Sequence, residues 1–111
     1  SLPPLNRMSD LETGAAVRAV EIASSFSHTR PDGSSFYTVF GAEEGKNYNY
    51  GENIAYGYPT PSDVVTGWMN SPGHRANILS SSYTGIGIGI YYSGDTYYWV
   101  QNFYQDIQYG G

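Results

Sequence analysis

The chain has 111 residues, ten acids against five bases and no cysteine, for a formal net charge of −5. That length suits one domain, which buries roughly two thirds of its unfolded surface without staples. The acidic balance excludes nucleic acid and anionic membrane surfaces as expected partners. Missing cysteines exclude disulfides, thiolate zinc sites and cysteine nucleophiles, and no apolar run approaches the ~18 residues of a bilayer span.

In chain order, "SLPPLNR" opens as an irregular, proline-bearing segment. "SDLE" at 9–12 reads as a capping box, with Ser9 as N-cap and Glu12 reaching back. Behind it Leu11, Ala15, Ala19, Ile22, Ala23 and Phe26 recur at helical spacing, which predicts one buried face fading near Ser24–Ser27. The alanines on that face imply close packing on something flat, such as a sheet. "TRPDGSSF" at 29–36 is turn chemistry around Pro31, Asp32 and Gly33. "FGAEEGKNYNYG" reads as loop, leading into a strand around Tyr50–Tyr56.

"TPSD" at 60–63 starts a second helix, with Thr60 as N-cap, Pro61 at the first helical position and Asp63 at the positive end. Val64, Val65, Trp68 and Met69 make its expected buried stripe. "NSPG" stops it, and Ser71 with Pro72 opens a short third helix. His74 falls in the first turn of that helix, where extra positive charge is disfavoured, so its imidazole is expected neutral. "GIGIGIYY" alternates strictly, "SGD" turns the chain, and "TYYWVQNFYQ" returns as the second strand of a hairpin. A glycine stripe in a strand is tolerated where another element approaches the backbone closely. The pattern as a whole is α+β, with helices covering a small sheet.

No G-x-S-x-G elbow, phosphate loop or paired-histidine helix is present. The chemistry-bearing candidates are His28, Glu52 in "YGENIAYG", and His74. Each alone has a structural reading: His28 ends a helix, Glu52 holds a loop, His74 caps. Together they supply two imidazoles and a carboxylate, the ligand set of a zinc site with an open position.

"FSHTRPDGSS", "YGENIAYG", "WMNSPGHRANIL" and "YYWVQNF" stand in that order. With them the chain, from about Leu2 to Phe103, resembles the CAP superfamily of cysteine-rich secretory, antigen 5 and pathogenesis-related 1 proteins, also called SCP domains. The resemblance is strongest to their cysteine-free bacterial branch. It implies an α-β-α sandwich, with about three antiparallel strands between helical layers, and an extracellular location, secreted or at the cell surface or wall. It also implies a cavity of two histidines and two acids that binds a divalent metal in some members. His28 and Glu52 match the first histidine and the acid of the "GEN" segment. Where the second acid is expected, three residues after Trp68, stands Ser71. Where the second histidine is expected, before Tyr83–Thr84, stands Ser82. His74 is expected to reach the cavity from a different position.

The resemblance further implies a helix ahead of "LPPL", and this chain starts almost on that segment. The 111 residues are therefore expected to form either a fragment of a longer secreted protein or a domain without that helix. An uncovered apolar surface beside Leu2, Leu5 and Leu11 would favour self-association. Three functions stay open. One is a non-catalytic module binding a peptide, a wall component or a lipid in a cleft lined by His28, Glu52 and His74. The second is a metal-dependent hydrolase with zinc or another divalent cation on His28 and His74, Glu52 joining them. The third is a structural domain.

Overall fold

The structure, a computed structural model, describes residues 4–43, 45 and 49–105. A short strand β1 (Asn6–Arg7) leads into α1 (Ser9–Ser24) and a 3-10 helix at Phe36–Phe40. Then follow β2 (Tyr50–Tyr56), α2 (Pro61–Met69), α3 (Pro72–Leu79), β3 (Gly85–Ser93) and β4 (Thr96–Tyr104). The sheet order is β1-β3-β4-β2. One face carries Ile54 and Val100 under Ala15, Ala19 and Ile22 of α1. The other carries Ala55 and Trp99 under Val64 and Trp68 of α2. This is the expected sandwich. The sheet is larger than expected by one strand, since β1 pairs in parallel with Gly85 and Ile86 of β3. Two residues are too few to show a period, which is why "NR" reads as irregular.

β1 also moves the start of α1. The Met8 N–H is bonded to the Ile86 carbonyl at 3.1 Å, so the chain leaves the sheet at Met8, and Met8 rather than Ser9 is the N-cap. No side chain caps this helix. Glu12, expected to reach back to the cap, instead pairs with Arg7 at 2.9 Å.

The buried face of α1 holds Leu11, Ala15, Ala19 and Ile22 as expected, and also Gly14 and Arg18. The helix lies so close to β3 that a Cβ on Gly87 would strike the Leu11 carbonyl, and one on Gly89 the Ala15 carbonyl. The glycine stripe of β3 is thus the surface on which α1 rests. Phe26 departs from the expected face. It lies beyond the helix end, is 48% exposed, and packs edge-on against Tyr56 with centroids 4.9 Å apart.

α2 is capped as its sequence requires, the Thr60 hydroxyl accepting the Asp63 N–H at 3.1 Å. Its buried stripe is narrower than expected: Val64 and Trp68 are buried, Met69 is half-buried and Val65 is exposed. The hairpin closes through Gly94 and Asp95, both at positive φ (57° and 62°). That is the two-residue turn whose twist matches the flanking strands. Near the chain start Leu11 is buried and Leu5 half-buried; Leu2 lies outside the described residues. No described helix is long and apolar enough to cross a membrane.

Candidate functional site

β2 is the edge strand of the sheet on the side away from β1. Side chains of a strand alternate between faces, so Glu52 points toward α1 and Asn53 toward α3. Each organises one histidine. On the α1 side the Glu52 carboxylate is fully buried. Its oxygens accept from Arg18 Nε and Nη2 (both 2.9 Å), from Asn102 Nδ2 at 3.0 Å and from His28 Nδ1 at 2.9 Å. A carboxylate can only accept, so Nδ1 of His28 carries a proton, and Nε2 is the nitrogen left to meet a ligand.

On the α3 side, Asn53 Nδ2 donates to the His74 carbonyl at 3.1 Å. Asn77 Nδ2 donates to Asn53 Oδ1 at 3.0 Å. The His74 ring is held through Nδ1 by the Ser71 hydroxyl at 3.0 Å. Ser71, standing where the resemblance expects an acid, therefore orients an imidazole instead. Ser82 is exposed.

His28 and His74 line one cleft of ≈ 450 Å³, together with Ile54, Ala55, Tyr56, Tyr58 and Phe26. That size lies within the range of small-ligand sites. Glu52 does not line it. It stands behind His28, as a carboxylate does behind a histidine whose other nitrogen meets a ligand. Phe26, Tyr56 and Tyr58 form an aromatic rim. Among the described residues no protein partner meets Nε2 of either ring, and no group of three or more His, Cys, Asp or Glu side chains is placed to hold a metal ion.

The electrostatics follow from this wiring. Burial pushes the Glu52 carboxyl up, but the His28 hydrogen bond, Arg18 and Asn102 outweigh it and hold the group below the usual carboxylate range. Burial lowers the His74 imidazole, and His28 across the cleft lowers it further. His74 is thus favoured as the neutral ring, as the sequence suggests, with burial the first cause and the nearby histidine the second.

Arg18 is the residue that sequence reading missed. Its side chain is wholly buried. Besides Glu52 it donates to Glu21 at 2.9 Å and to the Ser27 carbonyl at 2.6 Å. Arg30 joins through Glu21 at 2.8 Å, so two arginines balance two carboxylates. The bond to Ser27 fixes the backbone just before His28. The signal was present: Leu11, Ala15, Arg18 and Ile22 lie on one stripe, and a charge there must find a buried partner.

Residues 1–103 match the family "CAP: Cysteine-rich secretory protein family". The chain belongs to the CAP family. Over 53 residues it is 55% identical to the Bacillus subtilis protein YkwD, covering 48% of this chain and 20% of that one. Among solved structures it is similar to an extracellular SCP-domain protein of Bacillus anthracis, with TM-score 0.78 and 27% identity over 95% of this chain and 35% of the other. An outer surface protein of Borrelia burgdorferi shares the fold at TM-score 0.78 and 23% identity, over 95% of this chain and 80% of that one. This CAP chain thus spans about a fifth of YkwD and about a third of the Bacillus anthracis protein.

Proposed function

We propose that this CAP domain works outside the cell as a binding module. It holds a wall peptide or glycopeptide between His28 and His74 and does not turn it over. The observation that carries this is the state of Glu52. A hydrolytic site needs a base within reach of the attacking water. Glu52 is buried, saturated by four donors and held ionised by His28 and Arg18, so it orients His28 and is not free to take a proton, and no carboxylate lines the cleft among the described residues. Two imidazoles on fixed Nδ1 anchors then offer Nε2 groups to a ligand, and the aromatic rim offers apolar and stacking surface. The extracellular location draws support from the likeness to the Bacillus anthracis protein, an extracellular protein containing an SCP domain.

Zinc or another divalent cation fits less well. Catalytic zinc sites take three protein ligands, and with Glu52 spent only Nε2 of His28 and of His74 remain to coordinate.

Calorimetry with soluble wall muropeptides tests the reading. Binding that weakens at least tenfold in His28→Ala and in His74→Ala, without release of cleaved product, is the expected result. Cleavage of the fragments, or binding indifferent to both variants, would overturn it. Zinc titrated alone at pH 7 is expected to bind weakly at most and to lose its heat in His28→Ala.

A further inference from the structure

Among the described residues the outer edge of β3 is open along most of its length. β1 covers only Gly85 and Ile86, and the Met8 N–H reaches the Ile86 carbonyl at 3.1 Å. Ile86 therefore turns its backbone groups outward, and by alternation so do Ile88, Ile90 and Tyr92. Among the described residues nothing pairs with these three. Natural sheets blunt such edges with lysine, proline, inward charges or bulges. From Gly85 to Ser93 there is no charge and no proline, and the register with β4 runs without a bulge. Ile88 and Ile90 are 49% and 51% exposed.

We propose that this edge pairs with the same edge of a second copy, antiparallel, about a two-fold axis near Ile90. Three features select a second copy. First, the edge is self-complementary. A two-fold at Ile90 sets Ile88 opposite Tyr92 and Ile90 opposite itself. Every one of these residues points its N–H and C=O outward, so all six groups of each copy find partners. Second, the charges match. The pairing brings the Asp95 turn of each copy toward Arg7 at the end of the other's β1, and Arg7, exposed and bonded to Glu12 through Nε alone, has further N–H donors for a second carboxylate. Third, the helices allow it. Glu12 of α1 reaches Arg7 on β1, so the flank that continues through Ala16 and Ala23 is the one turned toward this edge. It is small and uncharged, which suits two helices packing at about 8–10 Å. The result is one sheet running through both copies, with Ile88 and Ile90 of the two meeting on the opposite face. Pairing through three residues of each copy makes a small contact, so an exchanging, concentration-dependent equilibrium is expected.

Sedimentation equilibrium and hydrogen exchange test this together. The expected result is a monomer–dimer equilibrium in which the amides of Ile88, Ile90 and Tyr92, and not those of Gly87 or Gly89, slow at least tenfold on moving from low to high protein concentration. Ile90→Lys is expected to stay monomeric with unchanged far-UV circular dichroism; if it misfolds, Tyr92→Lys takes its place. Leu79→Lys, exposed on α3 beside the opposite edge strand β2, is expected to dimerise as the parent does. A strict monomer at all concentrations, or a dimer with no change in those three amides, would overturn the proposal. So would a dimer lost in Leu79→Lys and kept in the edge variants.

Discussion

Glu52 and Asn53 are neighbours on β2 and serve opposite faces of the sheet. Glu52 anchors the His28 ring at 2.9 Å, and Asn53 anchors the His74 backbone at 3.1 Å. Because β2 is an edge strand, a loop residue following α1 and a residue of α3 can meet around that edge in one cleft. The site is therefore made by the pleat of a single strand. A shift of β2 by one residue would exchange the two anchors and lose both.

Glu52→Gln tests the buried half of this arrangement. The substitution keeps the volume but leaves the fully buried Arg18 guanidinium with the partly exposed Glu21 as its remaining counter-charge. Breaking one partner of such a pair costs about 3–5 kcal/mol. Urea denaturation is expected to show a loss of that order, and the imidazole resonances of His28 are expected to broaden or move as its Nδ1 partner changes. A loss below about 1 kcal/mol would mean that Arg18 is well served by Glu21 and Ser27 alone.

Acid should weaken the fold in two stages. His74 is lowered in the folded state, so the unfolded chain binds its proton first, and the stability this provides is lost as pH falls below the histidine reference near ~6.5. Glu52 and Glu21 are also lowered. Their contribution is present above the unfolded carboxylate value near ~4.3 and is lost as pH falls through their folded values. Denaturation midpoints should thus fall modestly from pH 7 to 5.5 and steeply below 4.5. In His74→Gln the first stage should disappear while the second persists.

Gly87→Val probes the seat of α1. Valine has the higher strand propensity, yet its Cβ would meet the backbone of Leu11, which cannot swing aside as a side chain could. Overpacking of this kind costs typically 1–3 kcal/mol. Thermal and urea melts should show the variant destabilised by more than 1 kcal/mol. A stabilised variant would show that α1 can lift from the sheet at no cost.

Local rules made much of this legible beforehand. The Thr60 cap, the glycine-lined strand and the two-residue turn at Gly94–Asp95 follow from chemistry within a few residues. The misses are long-range. β1 exists because β3 offers it a partner, and pairing there moved the α1 cap from Ser9 to Met8. Val65 stays exposed because α2 presents a narrower face than its apolar residues suggest. Of the three candidate residues, His28 and His74 reach one cleft while Glu52 stands behind His28. The reason for that division, Arg18, lies 34 residues from Glu52 in sequence. A buried arginine gives no local signal except its place on an apolar stripe.

The central claim is that His28 and His74 form one ligand site through Nε2, each ring being pinned through Nδ1. Long-range proton–nitrogen spectra of the imidazoles, recorded while wall muropeptides are added at pH 7, test it most directly. The account predicts that Nε2 of both rings shifts along one saturable curve, while His28 Nδ1 stays protonated throughout. Shifts confined to one ring, or a His28 ring protonated at Nε2 and bare at Nδ1 in the free protein, would contradict it.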